Sequence, residues 1–440
     1  MTTDANTLPL VAGPLGVSSD PAVLAAGSPD WLAALRRSAI ARYGAVGLPT
    51  PRTEAWKFTG LNAVKALAPV PAEGVPGVEL PAVVAALGGP RIEIVNGRLA
   101  TLPALPTGVE AVALDDTAAA PDWVRATLGS IASFETHPFT ALNTAQFAGG
   151  IAIRVARGAM PEAPIVLSIA QAGGGETATI AHPRVLVVVE DGASADLVTV
   201  FQGSGRYIAN PVTEIAIGEG ARLGHAVLQA EGAEAFHVSM TALKLAGKST
   251  YDGFVLATGS KLARHEVRAE LDGEHIEYSI NGVYLGADGQ HHDITTFIDH
   301  ARPHGTSHEM VKGVLTGTAR GVFQGKILVR PDAQKTDGFQ MNRALLMSRD
   351  AEVNSKPELE IYADDVKCSH GATVGELEDD ELFYLMARGI PRGRARALLV
   401  EAYVQEAVAL IGRAPVRDAF AAVASDWLDR HVAGATGSGE

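Results

Sequence analysis

The only cysteine of the 440-residue chain, Cys368, stands two positions before His370 in the run Asp364-Asp365-Val366-Lys367-Cys368-Ser369-His370-Gly371. In an extended strand, residues two apart project from the same face, so a sulfur and an imidazole would stand side by side. Such a pair suits a soft metal such as iron or zinc, and equally a thiolate working with a base. Burial explains the cysteine as well, because Val366 shares its face and cysteine is among the most buried residue types. Two donors do not close a tetrahedral site. One cysteine does not furnish the four thiolates typical of an iron-sulfur cluster, so a cluster role would need donors from another subunit.

The other constellations carry less. Thirteen histidines include His291-His292 and the trio His300, His304 and His308. Four-residue spacing would align the trio on a helix, but Pro303 and Gly305 lie between its members and predict a loop. Leu245-Ala246-Gly247-Lys248-Ser249-Thr250 has the tail of a phosphate-binding loop, yet Ala242 occupies its first glycine position and Tyr251 to Leu256 reads as strand where a helix is required. It is expected to be a turn. Glu358, Glu360, Asp364 and Asp365 could form a paired-carboxylate glycosidase site, but with 5% aromatic residues to bind sugars they read better as a solvated strand face.

Composition narrows the class. Fifty acidic against 36 basic residues give a net charge of -14, which repels phosphate backbones and anionic membrane surfaces, so nucleic acid is not an expected partner. A single cysteine forbids an intrachain disulfide, and the N-terminus has neither signal-peptide nor transit-peptide character, so the cytoplasm is the expected address. The longest aliphatic run, Ala82 to Leu87, is six residues, far short of the roughly 20 that span a bilayer.

The elements that would position Cys368 and His370 follow from periodicity. Residues 1–150 read as helices joined by proline-rich loops. Ser28-Pro29 predicts a helix start, followed by Trp31, Leu32, Leu35, Ala39 and Tyr43 at helical spacing, and Trp123 to Phe134 offers a second helix. From about residue 150 the pattern becomes short alternating strands of three to six residues, such as Ile276/Tyr278/Ile280 and Ile294/Thr296/Ile298. Turn glycines at 192, 220, 247 and 273 fall 28, 27 and 26 residues apart. That drifting period predicts a β-solenoid over 151–375, with a β-sandwich as the competing architecture. Residues 376–433 turn helical again: a helix opening at Asp379-Asp380 and ended by Gly389, a longer one from Pro391, and an amphipathic segment from Val416 to Val432. These helices are read either as a cap on the open solenoid end or as a docking surface. Residues 434–440 are expected to be a flexible tail.

Several stretches carry a family resemblance: Val322-Phe323-Gln324-Gly325-Lys326-Ile327, Ala333-Gln334-Lys335-Thr336-Asp337, Asn342-Arg343-Ala344-Leu345-Leu346, Lys356-Pro357-Glu358-Leu359-Glu360-Ile361, Lys367-Cys368-Ser369-His370-Gly371-Ala372-Thr373, and Leu382-Phe383-Tyr384 with Arg388-Gly389-Ile390. Together with Arg52-Thr53-Glu54-Ala55-Trp56-Lys57-Phe58-Thr59 they closely resemble the SufB/SufD family, the scaffolds of the sulfur-mobilisation pathway of iron-sulfur cluster assembly. The chain resembles the SufD branch. Leu385 stands where SufB-type chains carry a cysteine, so this chain lacks the thiol of a main sulfur acceptor.

The resemblance implies a mainly β fold, a right-handed parallel β-helix flanked by an N-terminal helical or mixed domain and a C-terminal helical domain. It implies a non-catalytic subunit that pairs through its β-helix with a SufB-like homologue; an exposed solenoid edge would favour that pairing or pairing with itself when alone, and sequence does not decide between them. A SufC-like ABC ATPase, which binds the ATP, would dock on the C-terminal helices. His370 would be the metal or cluster ligand from this side, with Cys368 a supporting candidate, around a nascent and transient iron-sulfur cluster. Flavin binding is reported for such complexes, although no motif here specifies it. Two rivals stand beside this reading: a cysteine-dependent hydrolase or transferase using Cys368 and His370, and a metal-free β-solenoid interaction protein.

Overall fold

The computed structural model describes residue 15 and residues 20–72, 79–173 and 175–433; the expected tail at 434–440 lies outside the described residues. From Gly150 onward the strands alternate between two parallel sheets, each strand pairing with the one a full coil earlier and later. The result is a parallel β-solenoid of about seven turns in a mainly β chain, with 41% strand and 23% helix. One sheet runs from Gly150–Val155 to Glu352–Ile361, and the other from Ile165–Ala172 to Lys367–Gly375. N-terminal strands extend both sheets at the first coil. Arg91–Val95 pairs parallel with Ile165–Ala172, and Val109–Ala113 pairs antiparallel with Gly150–Val155.

The drifting glycine period has a concrete origin in the corners. A chain that turns sharply between sheets needs a left-handed residue there, which glycine supplies without steric cost. At one corner this position is Gly192 and Gly220, then Lys248, His275, His304 and Lys335, all with positive φ; Gly289 and Gly317 belong to the opposite corner. The strands are also longer than the expected three to six residues. Most of the later ones span ten, as in His291–His300 and Thr306–Leu315. Their inner faces carry His292, Thr296, His300, Ser307 and Glu309, all buried, and these polar residues interrupt the apolar alternation that marks a strand in sequence.

Inside the solenoid, side chains stack in columns set by the in-register pairing. One runs Leu223, Tyr251, Tyr278, Ser307, Gly338, Cys368; its neighbour runs His225, Gly253, Ile280, Glu309, Gln340, His370. Tyr251 and Tyr278 stack with ring centroids 5.4 Å apart. In these two columns Ser307, Glu309 and Gln340 make the later coils polar, while Phe323, Ile327 and Val329 keep the facing sheet apolar there.

Helices cover the outer faces of the sheets. Helix Asp30–Val46 starts one residue later than expected, with Pro29 as the cap itself, and helix Asp122–Thr127 stops short of Phe134. Beyond it, the backbone N–H groups of Gly129, Ile131 and Ala132 all donate to Glu214, a fully buried carboxylate also held by Arg184. Helix Pro138–Gln146 was not expected at all. Leu61, Val64, Phe139 and Leu142 pack with Ile180, Ile208, Phe236 and Leu262 on the first sheet.

The stretch from Arg52 to Thr59 clamps this unit down. Arg264, wholly buried, forks between Asp293 and Glu266 and lies 4.3 Å from the centre of the Trp56 ring. The Thr59 hydroxyl hydrogen-bonds Asp293 at 2.5 Å, and Gln324 donates to the carbonyl of Ala55 at 3.1 Å.

The C-terminal helices Asp379–Met386, Arg392–Val408 and Ala414–Leu428 do not plug the end of the solenoid, as the cap reading required. They lie along its second sheet. Val400, Val404, Ala407 and Phe420 bury against Val198, Leu228, Phe254, Leu256, Val283 and Val314, because those strands are apolar on their outer face too. Lys312, buried on the same face, donates to the Tyr403 carbonyl at 2.9 Å and pairs with Glu406. The last coil is thereby left uncovered.

Candidate metal-ligating site at the open end of the solenoid

Strand Lys367–Gly375 pairs with Asp337–Leu346 on one side and presents its other edge free. Edge strands expose unpaired backbone groups, and the last strand of the other sheet, Glu352–Ile361, carries Pro357, which has no N–H to offer a further strand. Cys368 and His370 lie on the inward face of this last coil, at the mouth of the solenoid: His370 is exposed and Cys368 half-buried. The strand alternation that placed them side by side in sequence therefore places them side by side here.

Each has a distinct support below it. Cys368 stands in register over Gly338, where a Cβ would make only ordinary contact, 3.4 Å from Sγ and 3.5 Å from the Ser307 hydroxyl. Burial pushes the Cys368 thiol above its usual value, opposed by the Gly338 backbone hydrogen bond and reinforced by Asp337. A thiol raised in this way stays protonated at neutral pH, the reverse of what a cysteine nucleophile requires. His370 stands over Gln340, itself fully buried. Gln340 donates through Nε2 to Glu309 at 2.7 Å. Burial raises the Glu309 carboxyl to about 7, against the lowering effect of its hydrogen bonds from Gln340 and Thr296.

The histidine trio does not converge. His300 points inward, hydrogen-bonded to the Ser307 hydroxyl at 2.9 Å, and burial lowers its pKa to about 4. His304 is a corner residue stacked on His275 at 4.8 Å, and His308 faces outward against Phe339 at 5.0 Å. Of the other pair, His292 is sealed in the core while His291 reaches the Thr59 hydroxyl at 3.0 Å. The acidic residues near the site serve as ion-pair partners: Glu358 for Lys356, Glu360 for Lys326 and Asp365 for Lys335. Leu245 to Thr250 is a turn leading into strand Thr250–Ala257, as expected. Among the described residues no group of three or more His, Cys, Asp or Glu side chains could hold a metal ion, and none of the described helices is long and apolar enough to cross a membrane. The site on this chain is therefore a pair of donors with open space in front of it.

Sequence reasoning missed Glu309 and Gln340. The signal was present: positions 309, 340 and 370 follow the solenoid period, so a column through His370 could have been traced by counting back.

Comparison with known proteins places the chain in a family. The family model described as "SUF system FeS cluster assembly, SufBD core domain" matches residues 170–403. The chain is 32% identical over 374 residues to the iron-sulfur cluster assembly protein SufD of Escherichia coli, covering 82% of this chain and 84% of that protein. It is also 32% identical over 395 residues to an iron-sulfur cluster assembly SufBD family protein of Synechocystis, covering 84% and 85%. A chloroplastic protein of Arabidopsis thaliana is 34% identical over 274 residues, covering 60% of this chain and 58% of its own length. A parallel β-solenoid across which that family model matches defines the class of chain, an iron-sulfur cluster assembly protein. The chain belongs to the SufB/SufD family, and its role is in iron-sulfur cluster assembly.

Proposed function

We propose that the chain is a non-catalytic scaffold subunit that holds one side of a nascent iron-sulfur cluster, its cargo, at the uncovered mouth of its solenoid. The observation that carries this reading is the pair Cys368 and His370 on the inward face of the last coil: two donors, too few to close a site, beside a free strand edge. His370 is the ligand and Cys368 the supporting donor. A SufB-like homologue completes the coordination by adding its own strands to the free edge, and in its absence two copies of this chain pair there. A SufC-like ABC ATPase, the subunit that binds ATP, docks on the C-terminal helical unit. Phe383 and Tyr384 on helix Asp379–Met386 are 71% and 57% exposed, which is the apolar surface such docking would use. The proposed division is 1–150, 151–375 and 376–433, with the cytoplasm as the compartment.

Anaerobic affinity purification from native cells, with intact-complex mass measurement, tests the assembly. A homologous larger subunit and an ABC-type ATPase are expected to accompany the chain. Recovery of the chain without either would overturn the proposed architecture.

A further inference from the structure

The column beneath His370 places Gln340 in register with it on the neighbouring strand. Gln340 is fully buried, and its amide has two ends. Nε2 donates down the column to Glu309 at 2.7 Å, while Oε1 is buried with no hydrogen-bond partner. A buried carbonyl oxygen left without a donor is costly, so one is expected to be supplied. The next residue in the column, on the side away from Glu309, is His370, paired in register with Gln340 on the neighbouring strand. Adjacent strands run about 4.8 Å apart, a spacing that lets an in-register imidazole turn a ring N–H toward the amide oxygen. Room for the amide is also provided: a Cβ at Gly325 would overlap it.

We propose that Gln340 is a positioning residue for His370: its amide oxygen accepts a ring N–H, fixing one tautomer and turning the other ring nitrogen, with its lone pair, out of the solenoid mouth. The hydrogen bond from Nε2 to Glu309 holds the arrangement in place: with the amide nitrogen committed to that carboxyl oxygen, the oxygen end is the one left for the histidine. Hydrogen bonding of the second ring nitrogen is how histidine ligands are generally oriented and made more basic. The inference rests on the reading of His370 as a ligand, yet the hydrogen bond itself exists or not without any metal.

The test uses the full chain by itself, labelled with 15N at histidine, with the His370 ring signals assigned by their loss in His370→Ala. In the wild type, at a pH where the ring is neutral, the two ring nitrogens are expected to be well separated in shift, one carrying the proton and the other free. Gln340→Met keeps the volume and removes the acceptor, so the two shifts should move toward the averaged values of free imidazole. Glu309→Gln keeps an acceptor for the Gln340 amide and should preserve the separation; it also reports on the column if Gln340→Met fails to fold. Averaged shifts in the wild type, or a separation unchanged in Gln340→Met, would overturn the proposal. In the assembled complex, loss of Gln340 should weaken retention of iron by about 10–100-fold. If the tautomer is fixed but His370→Ala complexes hold iron normally, the ligand role fails and the hydrogen bond stands.

Discussion

Glu309 sits at full burial with its carboxyl raised to about 7 from a usual value of 4.5. Between those two values the folded chain keeps a proton that the unfolded chain has lost. Stability from this group is therefore fully present below about pH 4.5 and falls away as pH rises through 7. Glu309→Gln removes that dependence. At pH 8 it is expected to stabilise the chain by about 3 kcal/mol, from a shift worth about 1.4 kcal/mol per unit, and at pH 5 by less than about 1 kcal/mol. Chemical denaturation at both values checks this, and an equal effect at both would contradict it. Cys368 and His370 were legible as a pair because the strand alternation that aligns them is local. Glu309 and Gln340 were not, because their relation to His370 runs across coils, and a glutamate and glutamine inside a solenoid look like surface residues in sequence. The histidine trio, which Pro303 and Gly305 already separate in sequence, falls on a strand end, a corner and the next strand.

The elements are joined by a few polar anchors. Trp56 and Arg264 tie the N-terminal unit to the first sheet, with Arg264 neutralising Asp293 and Glu266 in a buried setting. Trp56→Ala opens a cavity and should cost about 3–5 kcal/mol. Arg264→Leu strands two buried carboxylates and should cost about 3–5 kcal/mol. Because the two side chains touch, the double variant is expected to cost clearly less than the sum, by denaturant titration; strict additivity would show that they do not act as one contact.

The helices were legible in proportion to their exposure. Asp30–Val46 and Ala414–Leu428 show apolar positions at helical spacing, whereas every residue from Pro138 to Ala145 is buried, which erases the polar face that marks a helix. The helix expected through Phe134 ends at Thr127, where the following N–H groups turn to Glu214, a carboxylate more than 80 positions away that local pattern cannot reveal. The solenoid period survived this because it is set by repeated corners and not by any one strand.

At the scale of the whole molecule, both outer faces of the solenoid are covered by helices while the final coil is left open. The covered faces are continuous apolar surfaces, which the chain seals itself; the last coil instead presents exposed, polar strand edge and two metal-type donors. That asymmetry was invisible in sequence, where the C-terminal helices served equally well as an end cap. It follows from the outward-facing valines and leucines of the second sheet, which demand a partner along their length.

The central claim is that this open coil supplies His370 to a shared cluster. The most direct measurement is the iron and acid-labile sulfide content of the complex purified anaerobically with wild-type chain and with His370→Ala, each alongside its intact mass. Because His370 is exposed, the variant complex should assemble with unchanged composition and lose its iron and sulfide. Wild-type iron and sulfide in the variant complex would contradict the account.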